Sequence, residues 1–237
     1  MVDNRREWLP APERLALRPG EVRLVCARLA VDGAVLASLA RKLSPDERER
    51  AGRFVRDADR DRYVAGRGIL RYLLARPLGV EPEGIGFDYG PHGKPRLADR
   101  HGASRLSFSK SASRDMALYA FALDREVGVD VEYRGAAQNE PCVESTSLPS
   151  CVRGILAGLS RGGARDFFFD WWTRLEALGK LGGEGLLGAL DARVAGSGPV
   201  DVFECSPDPM FAAACAIEGG RVSVAGNSLD PADLFRG

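Results

Sequence analysis

Hydrophobic and polar positions alternate along EVRLVCARLAV (21–31) and stop at Asp32-Gly33, the pattern of a half-buried strand. AVLASLARKL then reads as a short helix. The signals of a second helix start coincide at Leu43-Ser44-Pro45-Asp46-Glu47, with Ser44 as cap, Pro45 in the first helical position and acids in the first turn. A longer helix is predicted over about 59–76, with Tyr63, Ile69, Leu70, Leu73 and Leu74 on its apolar faces and Pro77 and Gly79 at its end. Short strand-like runs separated by turn residues follow in IGFDYG, RLSFSKS, MALYAFAL and VGVDVEY, and are read as antiparallel with tight connections. Residues 135–150 form the best loop or linker candidate. Another helix is expected over roughly 164–181, ending at Gly182-Gly183. After it, RVAGSGPVDVFEC, MFAAACAIE and RVSVAG alternate again as a final small sheet. Strand, helix, strands, then helix, strands is the order of an α+β fold in two similar halves, 1–127 and 128–237.

Composition narrows the function classes. Of 237 residues, 45% are hydrophobic and 28% charged, so a packed core is available and wholesale disorder is excluded. Basic and acidic residues balance at 33 each, which gives no global attraction to nucleic acid or to a membrane surface. No apolar run approaches membrane-spanning length, and the charged, Pro-rich N-terminus lacks the apolar segment of a secretory leader. Five scattered cysteines without a CxxC point to a reducing, cytoplasmic setting. With only His92 and His101 present, a metal would be held by carboxylates, which favours Mg²⁺ or a similar hard cation.

Four constellations could carry chemistry, and each has a plainer reading. In Gly128-Val129-Asp130-Val131-Glu132, strand alternation puts Asp130 and Glu132 on one face. They either share a hard cation or form the solvated face of an amphipathic strand. Trp172, Glu176 and Lys180 fall on one helical stripe, where Glu176 and Lys180 also suit an ordinary surface ion pair. Residues 41–76 hold eleven Lys and Arg, among them Arg50 and Arg62, against six acids. With Gly93-Lys94-Pro95 this stretch is either a cationic wall for a phosphate-rich small molecule or a solvated face with internal ion pairs. In Ser107-Phe108-Ser109-Lys110-Ser111, hydroxyls flank a lysine, as suits phosphate oxygens and equally suits an edge strand.

Taken in order, SPDERERAGRF (44–54), DRYVAGRGILRYLL (61–74), GKPRL (93–97), LSFSKS (106–111), GVDVE (128–132) and WWTRLEALGK (171–180) resemble the 4′-phosphopantetheinyl transferases of the broad-specificity type that activate peptide and polyketide synthases. The resemblance covers most of residues 44–181. It implies two pseudo-symmetric halves, each a helix packed on a small antiparallel sheet, with the active site in the cleft between them. It also implies transfer of the phosphopantetheine arm of coenzyme A to a serine of an apo acyl or peptidyl carrier protein, releasing adenosine 3′,5′-bisphosphate. Asp130, Glu132 and Glu176 would then hold Mg²⁺, and Glu176 would take the proton of the incoming hydroxyl. Lys180 would stabilise charge at the departing phosphate, and Arg50, Arg62, Lys94, Ser109 and Lys110 would hold the nucleotide and its phosphates. A cytoplasmic monomer is expected, with no nucleic-acid or membrane partner.

Three positions depart from the family pattern. Lys110 stands where the family usually has His, Leu175 where it has Lys, and Ser107 where it has Asn. They motivate an alternative: a divergent paralogue that keeps the fold, and with it coenzyme A binding, but regulates or catalyses a different reaction on a carrier-bound or CoA-like substrate.

Overall fold

The computed structural model describes residues 7–11, 16–90, 93–101, 105–135, 148–182, 199–220 and 222–235. The order is β1 (Trp8–Pro10), β2 (Glu21–Arg28), α1 (Gly33–Arg41), α2 (Pro45–Gly52), α3 (Asp57–Leu78), β3 (Phe87–Tyr89), β4 (Pro95–Leu97), β5 (Leu106–Ser113), β6 (Met116–Leu123) and β7 (Val127–Tyr133). Then follow α4 (Ser150–Ala157), α5 (Arg161–Gly182), β8 (Val200–Glu204), β9 (Phe211–Glu218) and β10 (Ser223–Leu229).

Alternation along the strands sorts the apolar side chains into layers. From β2 and β6, Val25, Ala27, Ala117, Tyr119 and Phe121 pack with Ile69, Leu70 and Leu74 of α3. The opposite faces of those strands, with Val22, Leu24, Leu118 and Ala120, meet Val127, Val129 and Val131 of β7 and Ala213, Cys215 and Ile217 of β9. Ala214 and Ala216, on the far face of β9, receive Ala177 and Leu181 of α5. The result is helix, sheet, sheet, helix, with each long helix backed by its own sheet. This is the expected α+β architecture.

The five-stranded sheet has the order β1-β10-β2-β6-β5 and the three-stranded one β7-β9-β8, while β3 and β4 form a separate hairpin. Two sequence readings are corrected here. The last alternating run, β10, does not complete the final small sheet but lies parallel to β1 and β2 in the first one. There it covers an edge of β2 that would otherwise present unpaired backbone groups. The runs read as one antiparallel series also divide: β5 pairs with β6, whereas β7 pairs with β9 in the other sheet. The chain thus passes from one sheet to the other at 124–127 and returns in β10.

Ser44 does cap α2, in a capping box with Glu47. Helix α3 begins at Asp57 and takes in Pro77 in its last turn, with Gly79 at the left-handed cap. Of the linker 135–150, residues 136–147 lie outside the described residues, and α4 begins at Ser150. Among the described residues, no helix is long and apolar enough to cross a membrane.

Candidate active site

Asp130 and Glu132 project from the face of β7 opposite Val127, Val129 and Val131, towards α5. The helix lies very close at this point. A β-carbon on Gly128 would fall 2.0 Å from the Ala177 carbonyl oxygen and 2.6 Å from the Leu181 nitrogen. Only glycine allows that approach, and it brings the last turns of α5 over the carboxylates. Lys180 Nζ donates to Asp130 Oδ1 at 2.5 Å and to Ser111 Oγ at 3.0 Å. Ser111 Oγ donates to the same Asp130 oxygen at 2.7 Å. Asp130 is 2% exposed, and its second oxygen, Oδ2, is buried without a hydrogen-bond partner among the described residues. Lys180 therefore pairs with the strand rather than with Glu176 four residues back.

Glu132 Oε2 accepts from Ser113 Oγ at 2.8 Å. Burial pushes its carboxyl above the usual range, and the negative charges of Asp130 and Glu176 push the same way; the Ser113 hydrogen bond and the Lys180 ammonium oppose them. Glu176, partly buried on α5, is thus close enough to be felt by Glu132. Among the described residues no three His, Cys, Asp or Glu side chains gather around one point. The donor chemistry nevertheless fits a hard cation. The candidate ligands are all carboxylate oxygens, and Asp130 Oδ2 is a buried acceptor whose burial costs free energy until something donates or coordinates to it.

Residues 33–122 match a protein-family description reading 4′-phosphopantetheinyl transferase, N-terminal. The chain is 37% identical over 223 residues to the 4′-phosphopantetheinyl transferase HetI of Nostoc sp., an alignment covering 90% of this chain and 94% of HetI. The chain belongs to the 4′-phosphopantetheinyl transferases. A putative 4′-phosphopantetheinyl transferase of Synechocystis sp. is 32% identical over 149 residues, covering 63% of this chain and 60% of the relative. The 4′-phosphopantetheinyl transferase Sfp of Bacillus subtilis is 25% identical over 150 residues, covering 63% and 64%.

The transferase places its expected phosphate-binding residues in different situations. Lys110 leaves β5 on the α3 side, and its ammonium lies over Gly66, where a β-carbon would come within 2.8 Å of Nζ. Desolvation, with repulsion from Arg67, Arg50 and Lys180 and a smaller attraction to Glu47, brings its pKa down to about 8. Arg50 is exposed on α2 and lies over the Tyr63 ring at 5.5 Å. Arg62 is held by Asp115 at 2.6 Å and Asp59 at 3.1 Å. The Lys94 ammonium is enclosed by Glu126 Oε2 at 2.8 Å and by the carbonyls of Leu181 at 2.8 Å and Val127 at 3.3 Å. It ties the β3–β4 hairpin to the end of α5 and the start of β7, and is not brought to the carboxylates. Ser109 Oγ accepts from Val129 N at 3.1 Å, and Leu175 is partly buried beside Glu176.

The basic run of the transferase is largely satisfied from within. Buried Glu47 accepts from Arg67 Nε at 2.5 Å and Arg71 Nε at 2.6 Å, and Arg71 also donates to the carbonyls of Pro82 and Ile85. Sequence reasoning left Arg67 and Arg71 open between a cationic wall and a solvated face with internal ion pairs. Their actual role is to join α3 to the start of α2 and to the 82–85 turn. It also passed over Ser113, although the alternation of serine through 107, 109, 111 and 113 was there to be read.

Proposed function

We propose that the transferase moves the 4′-phosphopantetheine arm of coenzyme A to a serine hydroxyl of an apo acyl or peptidyl carrier protein. The serine oxygen forms a bond to the pantetheine-side phosphorus, the pyrophosphate P–O bond breaks, and adenosine 3′,5′-bisphosphate leaves. The observation that carries this reading is the cluster on β7 and α5, where Asp130 binds the Lys180 ammonium through one oxygen and keeps the other buried and unpartnered. Asp130, Glu132 and Glu176 would hold Mg²⁺, whose charge, when bound, offsets the negative charge of the pyrophosphate.

Glu176, on the same helix one turn before Lys180, accepts the proton of the carrier serine. Lys180, oriented by Asp130 and Ser111, donates towards the departing phosphate and stabilises its charge. Lys110 and Arg50 supply cationic surface for the nucleotide phosphates on the α3 side of β5, and on the β7 side Ser109 keeps its hydroxyl proton for a phosphate oxygen, since the bond from Val129 uses only a lone pair. Arg62 would reach a phosphate by exchanging it for the Asp115 and Asp59 carboxylates that hold its guanidinium. Lys94 serves the same site by fixing the end of α5. The transferase is read as a monomer that works in the cytoplasm.

Intact-protein mass spectrometry tests the reading directly. An apo carrier protein is incubated with the transferase, coenzyme A and Mg²⁺ beside an EDTA control. A gain equal to the phosphopantetheine arm, lost in EDTA, is expected; unchanged carriers with coenzyme A still bound would favour the repurposed paralogue.

A further inference from the structure

Strand β5 carries serine at 107, 109, 111 and 113, so all four side chains leave the same face of the strand. That face looks along β7, and the pairing runs at a nearly constant offset. Ser107 Oγ donates to Glu126 Oε2 at 3.3 Å, and Ser109 Oγ accepts from Val129 N at 3.1 Å. Ser111 Oγ meets Asp130, and Ser113 Oγ meets both Glu132 Oε2 and the backbone nitrogen of Tyr133, the latter at 3.1 Å. The two strands therefore run parallel, in different sheets, joined by hydroxyls instead of a backbone ladder.

A serine hydroxyl has a single proton to give. At Ser111 the lone pair takes Lys180, so the proton goes to Asp130 Oδ1. At Ser113 the lone pair takes the Tyr133 N–H, so the proton goes to Glu132 Oε2. Each carboxylate is thereby pinned through one oxygen and held with the other turned away from the seam, and in Asp130 that other oxygen is the unpartnered one.

We propose that Ser113 is a positioning residue for metal binding: its hydroxyl fixes Glu132 through Oε2 and so presents the remaining oxygen to the cation, as Ser111 does for Asp130. This rests on the reading of Asp130, Glu132 and Glu176 as metal ligands. Groups that orient metal ligands in this way typically change metal affinity by about 10–100-fold when removed.

The test is Mn²⁺ binding to the full chain in the presence of coenzyme A, followed by the electron paramagnetic resonance signal of free Mn²⁺. Ser113→Ala is expected to weaken Mn²⁺ by about tenfold or more and to raise the Mn²⁺ concentration needed for half-maximal transfer, with a smaller effect on the rate at saturation. Ser113→Thr, which keeps the hydroxyl, restores the affinity. Ser113→Cys keeps an acceptor for Tyr133 N but donates weakly, so it loses affinity while retaining the fold. In a Glu132→Gln chain, adding Ser113→Ala costs nothing further. Wild-type Mn²⁺ affinity in the alanine and cysteine variants, or an equal loss repeated in the Glu132→Gln chain, would overturn the role of Ser113 and leave the metal reading intact. No Mn²⁺ binding by the wild type would remove the metal reading itself, and this proposal with it.

Discussion

Replacing Gly128 with alanine should separate a helix from a strand and, with it, the two sides of the active site. The added β-carbon would stand 2.0 Å from the Ala177 carbonyl oxygen, 2.6 Å from the Leu181 nitrogen and 3.1 Å from the Ala177 carbonyl carbon. All three are main-chain atoms, so no side-chain rotation relieves the contact. Since such contacts are essentially never under 3.0 Å, α5 must retreat from β7 by about 1 Å or more at this turn. Overpacking of this kind costs roughly 1–3 kcal/mol, which for a chain of this size lowers the melting temperature by about 2–12 °C. The chemistry suffers more. Glu176 and Lys180 move with α5 while Asp130 and Glu132 stay on β7, and a displacement of about 1 Å in a reacting constellation can cost on the order of 10²-fold in rate. Thermal unfolding followed by circular dichroism, together with the mass-spectrometric transfer assay, measures both quantities. Adding Ala177→Gly should rescue neither, because the obstructing oxygen belongs to the backbone. A Gly128→Ala variant with wild-type melting and wild-type rate, or one rescued by Ala177→Gly, would refute the reasoning.

Three further outcomes follow from charges inside the structure. Because the Lys110 ammonium has a pKa of about 8, coenzyme A affinity should fall by about tenfold per pH unit above that value as binding comes to require proton uptake; Lys110→Arg should flatten the calorimetric profile. Glu47→Gln should destabilise the fold by roughly 3–5 kcal/mol, by leaving buried Arg67 and Arg71 without their anion. Burial raises the Glu47 carboxyl, but Arg71 and Arg67 outweigh it and hold it below the usual range. Its contribution is therefore present above the ordinary carboxylate pKa and lost as pH falls through the lowered one, so the wild type should show an acid-side loss of stability that the variant lacks. Lys94→Met should lower the melting temperature while leaving KM for coenzyme A unchanged, since its ammonium is spent on Glu126, Val127 and Leu181; a raised KM at wild-type stability would return Lys94 to the nucleotide.

What could be read from the sequence was local. Alternation along β7 put Asp130 and Glu132 on one face, and the cap at Ser44 with Glu47 three residues on marked the start of α2 to the residue. What could not be read depended on partners far along the chain. Lys180 ignores Glu176 one turn away because Asp130, fifty residues earlier, is buried and offers a better acceptor. Arg67 and Arg71 looked like a solvated face because their anion sits on another helix, 20 and 24 residues back. The contact of Lys94 with the end of α5 depends on a carbonyl 87 residues later, which no local pattern announces. Helix α4 escaped notice because eight residues containing a glycine carry too short a period to declare themselves. Strand β10 alternated as expected, but alternation names a strand and not its neighbours.

The placement of β10 also dictates an order of events during synthesis. Trp8 lies opposite Gly226, and Glu21 opposite Ser223, so the first sheet waits for residues made about 200 positions later. A ribosome that has delivered β2, α3, β5 and β6 has released a hydrophobic layer with its central strand still open on one side. Such long-range pairing is slow to form and leaves a nascent chain exposed to association. Helix α5 and the β7–β9–β8 sheet, whose partners are closer in sequence, can settle earlier. The half that begins the chain is therefore the half that finishes folding, and a truncation of a dozen or so residues at the far end would be felt first at Trp8.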